Sequence, residues 1–307
     1  MNIRKEKTIW VFLLPVPNKT KNPEDRHIYD LIFGVSCVES SGVSPDDVLI
    51  VIDGEDREKF SQMVETRLTR KQHVYSSAEA MDFLGSYSVL MLFIYGHGHP
   101  YGLASQIEIT PYKLVSVIQS YSSLQTAVVY FGPCFSGVFN YMPISNKTNG
   151  KYCNIIFIGG TQFHTSIAVT TTETINGQEV SWIADIFMWC VSSWFQSPKD
   201  IDGDGKTTLM DSFKYAGVKT NNTYQALKIE DFSHVVMRIP QIDKKLKKIK
   251  KQYFQCKDSI SFCIKSKWGK IELLLQSRKE DLELQYERLF DEKNHLLSIS
   301  MFNQQEP

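Results

Sequence analysis

An α/β fold built on a mostly parallel sheet, with helices on both faces and a helical C-terminal appendage, is what this sequence predicts. Three observations carry that expectation. Continuous apolar runs of strand length recur at Ile9 to Val16, Val48 to Ile52, Val89 to Ile94, Ala127 to Phe131 and Ile155 to Ile158. The segments between them are long enough for crossover helices, as parallel neighbours require. The runs are apolar throughout rather than alternating, so both faces of the sheet need a cover.

The elements follow in order. IWVFLLPV has a basic flank, but it is short, carries a proline and lacks a small-residue cleavage site before Asn18-Lys19-Thr20-Lys21, so it reads as the first strand and not a signal peptide. Helices are expected over His27 to Ser40, Asp56 to Leu68 and Pro111 to Ser120, the last with proline in its first turn. Residues 181 to 196, SWIADIFMWCVSSWFQ, read as one further helix with a broad apolar face. After Pro240 the composition changes: DKKLKKIKK holds six lysines in nine residues, and Leu275, Leu282, Leu289 and Leu296 recur every seven. The chain is therefore expected to divide into residues 1–239 and a basic, helical region 240–307.

Composition narrows the function classes. Lys+Arg and Asp+Glu both total 34 in 307 residues, so overall charge does not favour nucleic acid as a partner. Six cysteines show no metal-type CxxC pair and no disulfide-scaffold spacing. No apolar run approaches the length of a membrane span, and a cytoplasmic protein, or one exported without a classical signal peptide, is expected. Asn146-Lys147-Thr148 fits a glycosylation pattern, which is read as a chance match.

Two loops carry the chemistry. Tyr95-Gly96-His97-Gly98 directly follows VLMLFI, and Gly132-Pro133-Cys134-Phe135-Ser136-Gly137 directly follows TAVVYF. In open α/β sheets ligands collect beyond the carboxyl ends of the strands, where both loops lie. A free thiol has a pKa of roughly 8.5 and reacts as the thiolate, so a nucleophilic cysteine needs a cation, a helix N-terminus or an imidazole nearby. His97 precedes Gly98, whose amide can serve as an oxyanion donor, whereas His99 precedes Pro100, which has no amide. The pair His97 and Cys134 thus suits a thiol hydrolase.

A strand ending in His-Gly, followed by the next strand ending in a small residue and Cys with Ser-Gly close behind, resembles the caspase-hemoglobinase cysteine peptidases. Within that group the chain is most similar to the legumain family, through Arg26-His27, the helix beginning Ile28-Tyr29-Asp30, Gly42-Val43-Ser44-Pro45-Asp46-Asp47-Val48, and Ile52-Asp53. The likeness covers roughly residues 8 to 195. It implies Cys134 as nucleophile, His97 as proton donor to the leaving amine, and the Gly98 and Cys134 amides as oxyanion donors. It also implies a pocket for the residue before the scissile bond (P1) formed by Arg26, Thr165, Ser166 and Asp185, suited to Asn first and Asp second. The implied partner is a peptide or protein substrate, cleaved or passed to an amine by transamidation. Three positions depart from the family pattern: Gly132 stands where an acid is usual, Gly96 replaces the acid before the histidine, and no asparagine near Pro23-Glu24-Asp25 matches the one that orients the histidine.

Asp200, Asp202, Asp204 and Asp211 occupy positions 1, 3, 5 and 12 of a twelve-residue loop, residues 200–211, with Gly205 at position 6 and Lys206 at position 7 offering its carbonyl. That is calcium-loop spacing, with magnesium as the alternative cation. Asp211 is shorter than the usual glutamate, so weak affinity is expected. The remaining readings concern the tail. Residues Lys244 to Lys251 offer a peripheral contact to an anionic membrane, although a solvated helix face is the stronger reading. The tail is also a candidate cap over the active site, with Asn149-Gly150 and Asn221-Asn222 as processing sites, and a non-catalytic scaffold is the alternative to an enzyme.

Overall fold

A computed structural model describes residues 7–16, 25–54, 56–68, 73–106, 108–142, 153–266, 274–286 and 289. The Asn146 to Thr148 tripeptide, the Asn149-Gly150 site, Pro23-Glu24 and Leu296 lie outside them. The chain divides into two compact units, residues 1–220 and 221–307.

In the first unit the order is β1 (Thr8–Leu14), α1 (Arg26–Ser40), β2 (Val48–Ile52), α2 (Arg57–Arg67), β3 (Val74–Tyr75), α3 (Ser77–Leu84), β4 (Val89–Ile94), β5 (Gly98–His99), β6 (Gly102–Leu103), α4 (Pro111–Gln119), β7 (Thr126–Phe131), β8 (Asn154–Gly159), β9 (Ala168–Ile175), β10 (Gln178–Asp185), α5 (Ile186–Gln196) and the start of α6 (Leu209–Ser266). Six strands form one parallel sheet in the order β3-β2-β1-β4-β7-β8. The continuous apolar runs are its strands, and this is the expected α/β class. A mostly parallel six-strand sheet with flanking helices is compatible with a caspase-like fold.

Alternate residues of each strand enter opposite cores, as the period of two dictates. Trp10, Phe12, Leu14, Met91, Phe93, Val128 and Tyr130 pack under α1, α2 and α5. Ile9, Val11, Leu13, Leu90, Leu92, Val129 and Phe131 pack under α3 and α4. On the first face Phe12, Phe93 and Tyr130 stack across β1, β4 and β7 with centroid separations of 4.9 and 5.1 Å, and Phe195 of α5 meets Phe93 and Tyr130 edge-on.

One expected element is corrected. Residues 181–196 are not a single helix: residues through Asp185 belong to β10, which pairs antiparallel with β9, and α5 begins at Ile186. The cause is Asn176-Gly177, where both residues have positive φ (50° and 73°) and close a tight hairpin turn. Val180, Trp182 and Ala184 face inward while Ser181 and Ile183 are exposed, which is strand and not helix periodicity.

The second unit starts inside α6. The helix runs through Pro240, so the change of composition there is not a break in backbone structure. Ile249 and Cys256 of α6 pack with Leu275, Leu282, Tyr286 and Leu289, which accounts for three of the four heptad leucines. Lys244, Lys245, Lys247, Lys248, Lys250 and Lys251 are all exposed. Among the described residues no helix is long and apolar enough to cross a membrane.

Close packing between α1 and the sheet gives a direct test. A methyl at Gly34 would overlap the Tyr95 hydroxyl and come within 3.1 Å of Phe12 Cε1 and 3.3 Å of Ser192 Oγ. Gly34→Ala is expected to lower stability by about 1–3 kcal/mol, the usual cost of overpacking, read as a lower urea midpoint. An unchanged midpoint would contradict this packing.

Candidate active site

The register of β4 and β7 pairs Ile94 with Phe131, and His97 and Cys134 each lie three residues beyond those ends. Gly132 N–H continues the ladder by donating to the Ile94 carbonyl (3.1 Å). Gly96, at φ 96°, turns the first loop beside the Pro15 carbonyl, a conformation that disfavours any residue with a Cβ. The next residues form the hairpin β5–β6, and Ala104 N–H donates to the His97 carbonyl (2.9 Å). A methyl at Gly98 would overlap the Cys134 carbonyl oxygen and lie 3.0 Å from Pro133 Cβ. The two loops are therefore in backbone contact.

Cys134 stands just before a forced bend. Phe135 adopts the left-handed conformation (φ 59°, ψ 23°), and its N–H donates to the His164 carbonyl (2.8 Å). Gly137 lies against the Gln162 backbone and donates to its carbonyl (3.0 Å), while Ser136 Oγ donates to the Thr161 carbonyl (2.9 Å). The segment 161–166 is thus tied to the cysteine loop at successive residues. It delivers Ser166, whose N–H donates to Cys134 Sγ (3.2 Å) and whose Oγ lies 3.4 Å from the same sulfur.

The histidines separate cleanly. His97 meets His27 of α1 edge-on, with ring centroids 4.6 Å apart. His99 is turned to the rim: its Nε2 lies 3.4 Å from Glu108 Oε1, and its Nδ1 accepts from Tyr101 N–H (3.2 Å).

Behind the cysteine lies a buried acidic pair. Asp185 is not inside a helix, as expected from sequence, but is the last residue of β10 and the N-cap of α5. Its Oδ1 accepts from Met188 N–H (2.9 Å). Gly132 makes room for it: a methyl there would stand 2.5 Å from Met188 Cγ and 3.5 Å from Asp185 Oδ1. Burial pushes the Asp185 carboxyl up to about 6, against the opposing pull of Met188 N–H, the Ser166 hydroxyl and the Arg26 charge. Asp30, one helical turn after Arg26, receives Trp182 Nε1–H (2.7 Å) and Asp185 N–H (3.2 Å). Burial, and then the Asp185 charge, hold its carboxyl well above the usual range.

Ser166 and Asp185 are therefore brought into one region with Cys134, and the Arg26 charge is felt at Asp185. Thr165 is the exposed neighbour of Ser166, its carbonyl 2.9 Å from His164 Nδ1. Asp30 and His27 also stand here, against Asp185 and His97, and sequence reasoning assigned neither to the site. Their signal was the Arg26-His27 and Ile28-Tyr29-Asp30 stretch at the start of α1.

The acidic loop assembles in part. Carboxylate oxygens of Asp200, Asp202 and Asp204 lie within 4.8 Å of one another. Asp200 accepts from Gly203 and Gly205 N–H (2.7 and 2.8 Å), Asp204 accepts from Lys206 N–H (2.8 Å), and Lys214 Nζ is 2.5 Å from Asp202. Asp211 does not join that cluster. Its oxygens accept from Ile201 N–H and from the Thr208 N–H and hydroxyl, each at 2.8 Å, and the Ile201 amide foremost holds its carboxyl down at about 2. The calcium-loop spacing is thus met by three side chains, while the position-12 carboxylate caps the start of α6.

No protein-family model matches the chain, and no curated protein matches it.

The acidic pair sets a pH dependence of stability. Both carboxyls have native pKa values above their unfolded values near 4, so the folded chain holds more protons from about pH 4 upward, as far as about pH 6 at Asp185, and this contribution falls as pH rises. Asp30→Asn is expected to flatten the decline in urea midpoint between pH 5 and pH 7 relative to the parent. An equally steep decline in the variant would contradict the assignment.

Proposed function

We propose that the chain is a cysteine peptidase of the caspase-hemoglobinase type, most similar in motif order to the legumains, acting through an acyl-enzyme on Cys134. The observation that carries this reading is the backbone contact between the His97 and Cys134 loops at the ends of neighbouring parallel strands.

In the proposed cycle the thiolate of Cys134 attacks the substrate carbonyl, and the Gly98 and Cys134 amides donate to the oxyanion. The C–N bond then breaks as His97 delivers a proton to the leaving amine. Water takes the amine's place, its proton passes to His97, and the thioester C–S bond breaks to return the free enzyme. An amine in place of water would give transamidation. Positioned acid–base help of this kind typically contributes about 10²–10⁴ in rate.

The specificity proposal follows the charges. Arg26, whose charge is felt at the Asp185 carboxyl, with the Ser166 and Thr165 hydroxyls, offers donors and acceptors together, as an asparagine amide requires. Gly132 removes the acid expected two residues before the nucleophile, and Asp185 fills the adjoining space from the end of β10. One carboxyl balanced by the charge of one guanidinium does not favour a cationic P1 side chain, which supports Asn, then Asp.

The Asp200, Asp202 and Asp204 cluster is proposed as a weak calcium or magnesium site that orders the connection after α5; no step of the chemistry is routed through it. Asp211 stands outside the cluster of three carboxylates, which favours low affinity.

A single profile tests the proposal. Chelated full-length protein is exposed to peptidyl acyloxymethyl ketones bearing Asn, Asp or Arg at P1, and to matched peptide substrates, across a calcium titration. Labelling of the parent but not of Cys134→Ala, Asn preferred over Arg, and a His97→Ala loss of about 10²–10⁴ in kcat/KM are expected. A folded chain that neither labels nor cleaves would reject the peptidase, and a response flat in calcium would reject the cation's regulatory part.

A further inference from the structure

In the second unit, one side of α6 carries a single sign of charge. Residues 244–257 hold seven lysines and no aspartate or glutamate. Lys244, Lys245, Lys247, Lys248, Lys250 and Lys251 are all exposed; half-buried Asp243 precedes the run and exposed Asp258 ends it. At about 3.6 residues per turn, Lys244, Lys248 and Lys251 share one face, and Lys247 and Phe254 flank Lys251 one turn away on the same side. Ile242, Leu246, Ile249 and Cys256 fall on the other side and are buried, Ile249 and Cys256 against Leu275, Leu282, Tyr286 and Leu289. The helix is thus covered on one face and basic on the other.

We propose that the face of α6 formed by Lys244, Lys247, Lys248, Lys251 and Phe254 docks the chain on an anionic lipid bilayer. The inference is independent of the reading of Cys134 as a nucleophile. Solvation alone accounts for a helix face of mixed sign, but this face lacks the second sign. Like charges three and four residues apart destabilise the helix that bears them. Among the described residues the ion pair of this unit joins Lys279 to Glu283, and none of the six lysines takes part in one. A negatively charged surface supplies the missing counter-charge to several lysines at once.

Apolar side chains on the same side decide between a bilayer and a nucleic acid. Phe254 is 50% exposed, and Met237, one and two turns before the lysines, is 64% exposed. Neighbouring Tyr253 is engaged instead, with Lys279 Nζ 5.6 Å from its ring centroid. Basic charge with an outward Phe and Met is the pair of signals that holds a helix in the headgroup region, the lysine stems lying along the apolar boundary while their heads stay wet. Residues 239–257 contain no arginine, the side chain suited to bidentate recognition of single phosphates. Lysine point charges suit the diffuse potential of a lipid surface.

Vesicle sedimentation tests the surface. Full-length protein is mixed with vesicles of phosphatidylcholine alone, or of phosphatidylcholine with phosphatidylserine, at low and at high salt. The parent is expected to sediment with the anionic vesicles and not the neutral ones, and to be released by salt. Glutamine at Lys244, Lys247, Lys248 and Lys251 should weaken binding about fivefold for each charge removed, whereas arginine at the same four positions should leave it unchanged. Phe254→Ser should weaken binding about tenfold. These side chains are exposed, and circular dichroism confirms that each variant is folded; salt release of the parent supplies the comparison if one is not. Binding that ignores lipid charge or salt, a glutamine variant or Phe254→Ser that binds as the parent does, or tighter retention by duplex DNA than by the anionic vesicles, overturns the proposal. Failure of the peptidase reading leaves it in place.

Discussion

The stack of Phe12, Phe93 and Tyr130 across three neighbouring strands is the constraint from which the site follows. Their rings lie within 8° of parallel, and Trp10 and Phe195 close the cluster from strand and helix. A one-residue slip of β7 against β4 would turn Tyr130 to the opposite face and break the stack. The aromatic layer therefore fixes the pairing of Ile94 with Phe131, and equal extensions beyond those ends bring the histidine and cysteine loops together. Large apolar burial deep in the sheet sets a polar geometry at its rim.

That same rim carries groups that oppose folding. Asp30 and Asp185 are buried beside one another, and neither the Arg26 charge nor the hydrogen bonds they receive overcome the loss of water. Such an arrangement persists because the elements on either side are well packed: α1 and α5 lie over the aromatic layer, and Trp182 and the α5 cap satisfy the carboxyl oxygens directly. The two acids are joined through the Asp185 N–H, which donates to Asp30, and Asp185 lies against Gly132 of the cysteine loop.

Much of this was legible in the sequence, for definite reasons. Central strands are apolar on both faces, so β1, β2, β4 and β7 announce themselves as continuous runs, the edge strand β8 shows a shorter one, and the C-terminal ends of β4 and β7 locate His97 and Cys134. The short edge strand β3 has only Val74 and Tyr75 and no run to show. β9 and β10 alternate, and the alternation was concealed because Trp182-Ile183-Ala184 continues directly into the apolar start of α5. Asn176-Gly177 was the signal that would have separated them. Asp185 was selected for the site, but its action as a cap depends on where the strand stops. Asp30 and His27 depend on the facing of α1 against β10 and the His97 loop, which local pattern does not encode. The acidic loop shows the converse: spacing is read correctly along the chain, yet Asp211 is claimed by Thr208 and Ile201 amides, a competition that ligand spacing does not reveal.

The most direct measurement of the central claim is a crystal structure of the chain with Cys134 trapped by a peptidyl aldehyde. The account predicts a thiohemiacetal whose oxygen sits against the Gly98 and Cys134 amides, with the His97 imidazole and Ser166 on either side of the sulfur. A sulfur facing away from the His97 loop, or an adduct with its oxygen remote from both amides, would contradict it.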